Sequence, residues 1–226
     1  MNALLGKSIK LASALAEQPK APARSCGWPE LDRILPDGGM PHAVVELVCS
    51  HEAFAGATRV AVSAVRAALE RDARAWCAWI DADCTLFAPG LARAGVALDR
   101  LFVVRPREKD LARVIVKTAS SGAFDILIVE LRGVRGEKLV RKLALAAEQH
   151  GTSILLLARP HPDPWPVALR VEVARTRAGL EARVTKDRFG RTQPGLAKLV
   201  PIRDLAERSE ASRAHGELAG QAPLER

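Results

Sequence analysis

Two rhythms of apolar and polar positions run along this chain. From residue 43 to residue 158, compact apolar runs alternate with stretches whose apolar residues recur at helical spacing. HAVVELVC (42–49), AWCAWID (75–81), RLFVVRP (100–106), FDILIVEL (124–131) and TSILLLAR (152–159) read as strands. FDILIVEL is almost wholly apolar, the pattern of a strand covered on both faces. Residues 57–71, 85–94, 108–121 and 137–149 read as helices. The first puts Val60, Ala64, Ala67 and Ala68 on one face, and the last closes at His150-Gly151. Regular alternation of strand and helix predicts an α/β fold with a mostly parallel sheet flanked by helices. After the Pro-rich HPDPWP the rhythm changes to strict alternation. LRVEVARTR (169–177) and GLEARVTKDR (179–188) predict a C-terminal antiparallel hairpin with Gly179 at its bend.

The flanks are different. Residues 3–17 carry Leu4, Leu5, Ile9, Leu11, Ala12 and Leu15 largely on one helical face. A lone helix of that length is marginal in water, so it is expected to dock on its own core or on a neighbouring subunit. Residues 18–25 (QPKAPARS) have no periodicity and read as a linker. WPELDRILP (28–36) predicts a short helix between Pro29 and Pro36, followed by a tight turn at DGGMP. From about 206 onward large apolar residues are few, which predicts a mobile tail. The expected organisation is an N-terminal helix (1–18), a linker (19–25), a core (26–205) and a tail (206–226).

Composition narrows the class. The 226 residues are 48% hydrophobic, enough for one sizeable core and against wholesale disorder. No apolar run approaches the ~18 residues of a membrane span. Lys7 and Lys10 interrupt the N-terminal apolar positions, against a signal peptide. Cys26, Cys49, Cys77 and Cys84 form no CxxC pair and are expected as buried free thiols. The five histidines match no zinc spacing, so no metal is expected. A net charge of +8 and a pI near 9.8 fit an acidic partner, or the bias of an Ala- and Arg-rich chain without Tyr.

The order of these pieces resembles the core of the RecA recombinase. CGWPELDRILPDGGMPHAVVELV looks like the passage that precedes the family's phosphate loop. WIDADCTLFAPGLARAGVALDRLFVVRP is similar to its next strand, helix and strand. FDILIVEL lies where RecA has its Walker B strand, and RVTKDRFGRTQPG resembles the hairpin carrying a basic inter-subunit pair. The likeness covers roughly residues 27–200. Among RecA-like proteins this short form looks most like the ImuA family, accessory factors of bacterial mutagenic translesion synthesis.

That resemblance places SHEAFAGAT (50–58) at the phosphate loop. A working loop needs Gly-rich backbone N–H donors, a Lys for the β/γ-phosphates and a Ser or Thr for Mg²⁺. Gly56 and Thr58 stand where the terminal Gly and Thr would be, but Ala57 stands where the Lys should be. Loss of a charge-assisted hydrogen bond of about 1.5–3 kcal/mol argues against ATP hydrolysis and against a nucleotide cofactor. Gly56 and Thr58 then read as a turn and the opening of a helix. Asp81 and Asp83 end a strand, and Asp83 would match RecA's water-activating Glu. Glu130 lies at the Walker B position. If a nucleotide site survives, Thr58, Asp83 and Glu130 are its residues; otherwise they are ordinary carboxylates and a hydroxyl at strand and helix ends.

RecA's two DNA-binding loops are reduced here to LRGVRGE (131–137) and ARPHPDPWP (158–166), too short to wrap a nucleotide triplet. Arg132, Arg135, Lys138, Arg141 and Lys142 still form a basic patch, either a site of salt-dependent phosphate contact or a solvated helix face. Lys186 and Arg188 stand where RecA places the pair that reaches the neighbour's ATP. They join Leu4, Leu5 and Ile9 as expected interface residues. The resemblance implies a non-catalytic adaptor in SOS mutagenesis and DNA repair. Its implied partners are an ImuB-type inactive Y-family polymerase relative, RecA, and an error-prone polymerase indirectly. DNA binding is expected to be weak or absent and no membrane is involved. The implied location is the cytoplasm, at the nucleoid after damage. The rival readings are a divergent DNA-stimulated ATPase and a simple basic DNA-binding module.

Overall fold

In the computed structural model, residues 22–49, 55–131, 136–161, 165–176, 179–188, 190 and 198–200 are described. Five of the sequence-predicted strands and four of the helices alternate as expected. The order is β1 (Val44–Cys49), α2 (Ala55–Arg71), β2 (Cys77–Ile80), α3 (Ala88–Arg93), β3 (Leu101–Val104), α4 (Leu111–Ala119), β4 (Ile126–Glu130), α5 (Glu137–His150) and β5 (Ser153–Ala158). A short helix, α1 (Pro29–Asp32), precedes them, and β6 (Leu169–Thr176), β7 (Gly179–Asp187) and β8 (Lys198–Val200) follow. The eight strands form one sheet in the order β3-β2-β4-β5-β1-β6-β7-β8. The first six are parallel; β7 pairs antiparallel with β6 and β8 with β7. This is the helix-flanked, mostly parallel sheet with a C-terminal hairpin expected of a RecA-like core.

Two apolar layers account for the near-uniform strands. Val45, Leu47, Trp79, Ile128 and Leu157 face Val60, Ala64, Val65 and Leu69 of α2 and Leu91 of α3. The alternate residues Val44, Ile80, Leu127, Val129 and Leu156 face Leu111 and Ile115 of α4 and Val140 and Leu143 of α5. Each fully buried Val, Leu or Ile contributes about 1.5–3 kcal/mol relative to exposure, so neither layer is dispensable. Helix α5 ends at Gly151, whose φ of 66° is the left-handed cap that stops it before β5.

Three expectations need correction. The helix predicted over 28–36 is only α1, because Leu35 is extended and Pro36 opens a separate 3₁₀ turn with Asp37 at φ 62°. Residues 22–25 are not a free linker. Arg24 pairs with Met40 through both backbone hydrogen bonds, and its guanidinium meets Asp125 at 2.7 Å and the Gly151 carbonyl at 3.2 Å. Cys84 is exposed rather than buried, at φ 54° in the turn after β2, while Cys26, Cys49 and Cys77 are buried. Strand β8 went unpredicted, since three residues carry too little alternation to register. Residues 1–18 and 206–226, including Leu4, Leu5 and Ile9, lie outside the described residues. Among the described residues no helix is long and apolar enough to cross a membrane.

Candidate functional site

In a parallel sheet, chemistry gathers beyond the carboxyl ends of the strands, where the loops into the following helices converge. Here that edge carries a cleft of about 390 Å³ lined by Thr58, Arg59 and Val62 of α2, Thr85, Leu86 and Phe87 of the β2–α3 loop, Gly90 and Leu91 of α3, and Glu130 at the end of β4. The fold thus brings together Thr58 and Glu130, two of the three residues the resemblance assigned to a surviving nucleotide site. Phe87 forms an exposed wall, 69% accessible, with its ring lying across Gly90.

The third residue, Asp83, is exposed in the turn and does not line the cleft. Its neighbour Asp81 explains the shape of that turn. Asp81 is buried, and its carboxylate accepts the backbone N–H of Thr85 at 2.8 Å and of Leu86 at 3.2 Å. Its other oxygen accepts from Arg105 Nε at 3.0 Å. A carboxylate with several donors already on it is a fastener for the loop. Asp81 therefore shapes the cleft wall.

The first turn of α2 is used for packing. A Cβ on Gly56 would lie 2.9 Å from Val173 Cγ1 and 3.2 Å from Leu180 Cδ1, so the missing side chain lets α2 approach the β6–β7 hairpin. Ala57 is 0% exposed and belongs to the apolar layer with Val60 and Ala61. A lysine there would carry an ammonium group toward that layer, at a cost in desolvation. Gly56, Ala57 and Thr58 lie in the opening turns of α2.

The basic residues divide. Arg132 and Arg135 lie outside the described residues. Arg141 is held by Glu137 one turn away, at 3.0 Å from Nε, while Lys138 and Lys142 project from α5 beside α4. Lys186 and Arg188 sit at the opposite end of the sheet from Thr58 and Glu130, level with the start of β1. Lys186 Nζ donates to the Trp165 carbonyl, and burial together with nearby Arg170 holds its ammonium below the usual lysine range. Arg188 lies 3.4 Å from Glu148. Both members of the expected basic pair are thus engaged within the chain.

The sequence reading missed one charged cluster. Glu46, in the middle of β1, is 0% exposed and faces the α5 side of the sheet. Its carboxylate accepts from Arg170 Nε at 2.6 Å and contacts His161 Nε2, whose ring lies 3.9 Å from that of Trp165. Glu46 is the one charge inside HAVVELVC, and that interruption was the available signal. Among the described residues no group of three or more His, Cys, Asp or Glu is arranged to hold a metal ion. Comparison of the chain with protein-family models and with curated proteins finds no match.

Proposed function

We propose that this chain is a non-catalytic adaptor on a RecA-like fold that acts through protein contacts in damage-induced mutagenic DNA synthesis. The observation that carries the reading is the first turn of α2. Ala57 is sealed in the core and Gly56 is spent on contact with Val173 and Leu180, where a motor would present a lysine and open backbone donors. The resemblance of the passages at 26–48 and 79–106 to the ImuA family supplies the biological setting. On this reading the chain meets an ImuB-type polymerase relative, reaches the error-prone polymerase through it, and modulates RecA. It works in the cytoplasm, at the nucleoid after damage.

The test is a capture experiment with the full chain against an ImuB-type protein and RecA. A parallel assay follows RecA filament length and ATPase rate with this chain in several-fold molar excess. Binding to the polymerase relative, or a shift in filament length or rate, supports the adaptor. No capture and unchanged RecA behaviour refute it. A second reading, a divergent DNA-stimulated ATPase, is favoured by one observation, the cleft that sets Thr58 beside Glu130. It requires magnesium-dependent nucleotide binding, which the adaptor does not.

A further inference from the structure

Helices α4 and α5 lie side by side on the outer face of the sheet, and a groove of about 440 Å³ runs between them. Ala112 and Val116 of α4 and Leu139 of α5 form its apolar floor. Its rims are cationic, with Arg113 and Lys117 on one helix and Lys138 and Lys142 on the other. Arg113 is balanced by Asp110 at 2.8 Å, whereas Lys117, Lys138 and Lys142 have no ion-pair partner among the described residues. Leu145, 67% exposed, continues the Lys138–Lys142 stripe one turn further along α5. Apolar surface flanked by unbalanced charge marks an interaction site more strongly than either feature alone.

We propose that this groove binds an acidic amphipathic helix from a partner protein. Apolar side chains at i, i+3 or i+4 and i+7 would enter the floor over Val116 and Leu139, and Asp or Glu on either side would meet the lysine rims. Helix α4 has nine residues and spans ~13 Å, enough for two to three turns of an occupant. A nucleic acid fits less well, because its phosphates would face an apolar floor and no aromatic ring lines the groove for base stacking. The described groove stands on its own residues and does not depend on the adaptor reading.

The experiment is fluorescence anisotropy on the full chain. The probe is a labelled 14-residue helical peptide with Leu along one face and Glu elsewhere. Controls are the same composition scrambled off one face, an all-Glu peptide, a single-stranded oligothymidine, and an unlabelled peptide of residues 206–226. Saturable micromolar binding of the amphipathic probe is expected, weakened by salt. About tenfold weakening is expected in the Lys138→Glu/Lys142→Glu double variant, with a smaller loss in Leu139→Ala. Circular dichroism checks that the variants fold, and the salt series on the unmodified chain keeps the idea testable if they do not. Equal binding of the scrambled or all-Glu peptide removes the role of the apolar floor and overturns the proposal. Displacement of the probe by the oligonucleotide, or by the 206–226 peptide, assigns the groove to nucleic acid or to the chain's own tail and also overturns it. So does the absence of saturable binding.

Discussion

Replacing Gly56 by alanine tests whether the first turn of α2 serves packing. The added methyl would stand 2.9 Å from Val173 Cγ1 and 3.2 Å from Leu180 Cδ1, where apolar carbons prefer about 3.5–4.0 Å. Val173 is buried and β-branched, and β6 is held between β1 and β7, so neither side chain nor strand yields easily. Overpacking of this kind costs about 1–3 kcal/mol. Alanine recovers up to about 1 kcal/mol of helix propensity over glycine, less in a first turn. The expected net loss is about 0.5–2 kcal/mol, a drop of a few degrees in Tm. Urea denaturation of the single variants and of Gly56→Ala/Val173→Ala closes a double-mutant cycle. Removing the valine methyls makes room for the new one. The second substitution should therefore become neutral or stabilising, with a coupling of about 1 kcal/mol. A stabilised Gly56→Ala protein, or additivity within about 0.3–0.5 kcal/mol, would show that the glycine is there for some other reason.

Two further outcomes follow from buried groups. Glu46→Ala removes the buried carboxylate that Arg170 and His161 share and should cost about 3 kcal/mol. In chemical denaturation Glu46→Leu/Arg170→Leu should lose less than Glu46→Ala; a larger loss contradicts the assignment. Burial pushes the Cys77 thiol up to about 12 and raises Cys26 further still. A thiol whose folded pKa is raised contributes stability below its unfolded value and loses it above. Stability should therefore fall from about pH 9 upward, by about 1.4 kcal/mol per unit for each of the two thiols. Lys186, shifted down, opposes this more weakly. Thiol labelling of the native chain should modify Cys84 first; rapid reaction at Cys26 or Cys77 contradicts the buried placement.

The sequence disclosed the sheet because burial on both faces makes β1, β4 and β5 predominantly apolar runs, and the hairpin because one face of β6 and β7 meets solvent. It did not disclose what depends on strand order. Glu46 stands out in its strand, but His161 and Arg170 lie 115 and 124 residues away and reach it only because β5 and β6 flank β1. The resemblance located Thr58 and Glu130 across one cleft, while Asp83 missed it because Asp81 ties the turn around itself. Lys138 and Lys142 read in sequence as either phosphate contacts or a solvated helix face, because the apolar floor beside them exists only once α4 lies against α5.

On the adaptor reading, the carboxyl edge of this sheet does not hold a triphosphate. Isothermal titration of the full chain with a non-hydrolysable ATP analogue and magnesium measures it directly. No saturable heat is expected into the millimolar range. Micromolar, magnesium-dependent binding that disappears in Thr58→Ala or Glu130→Gln would contradict it and restore the ATPase reading.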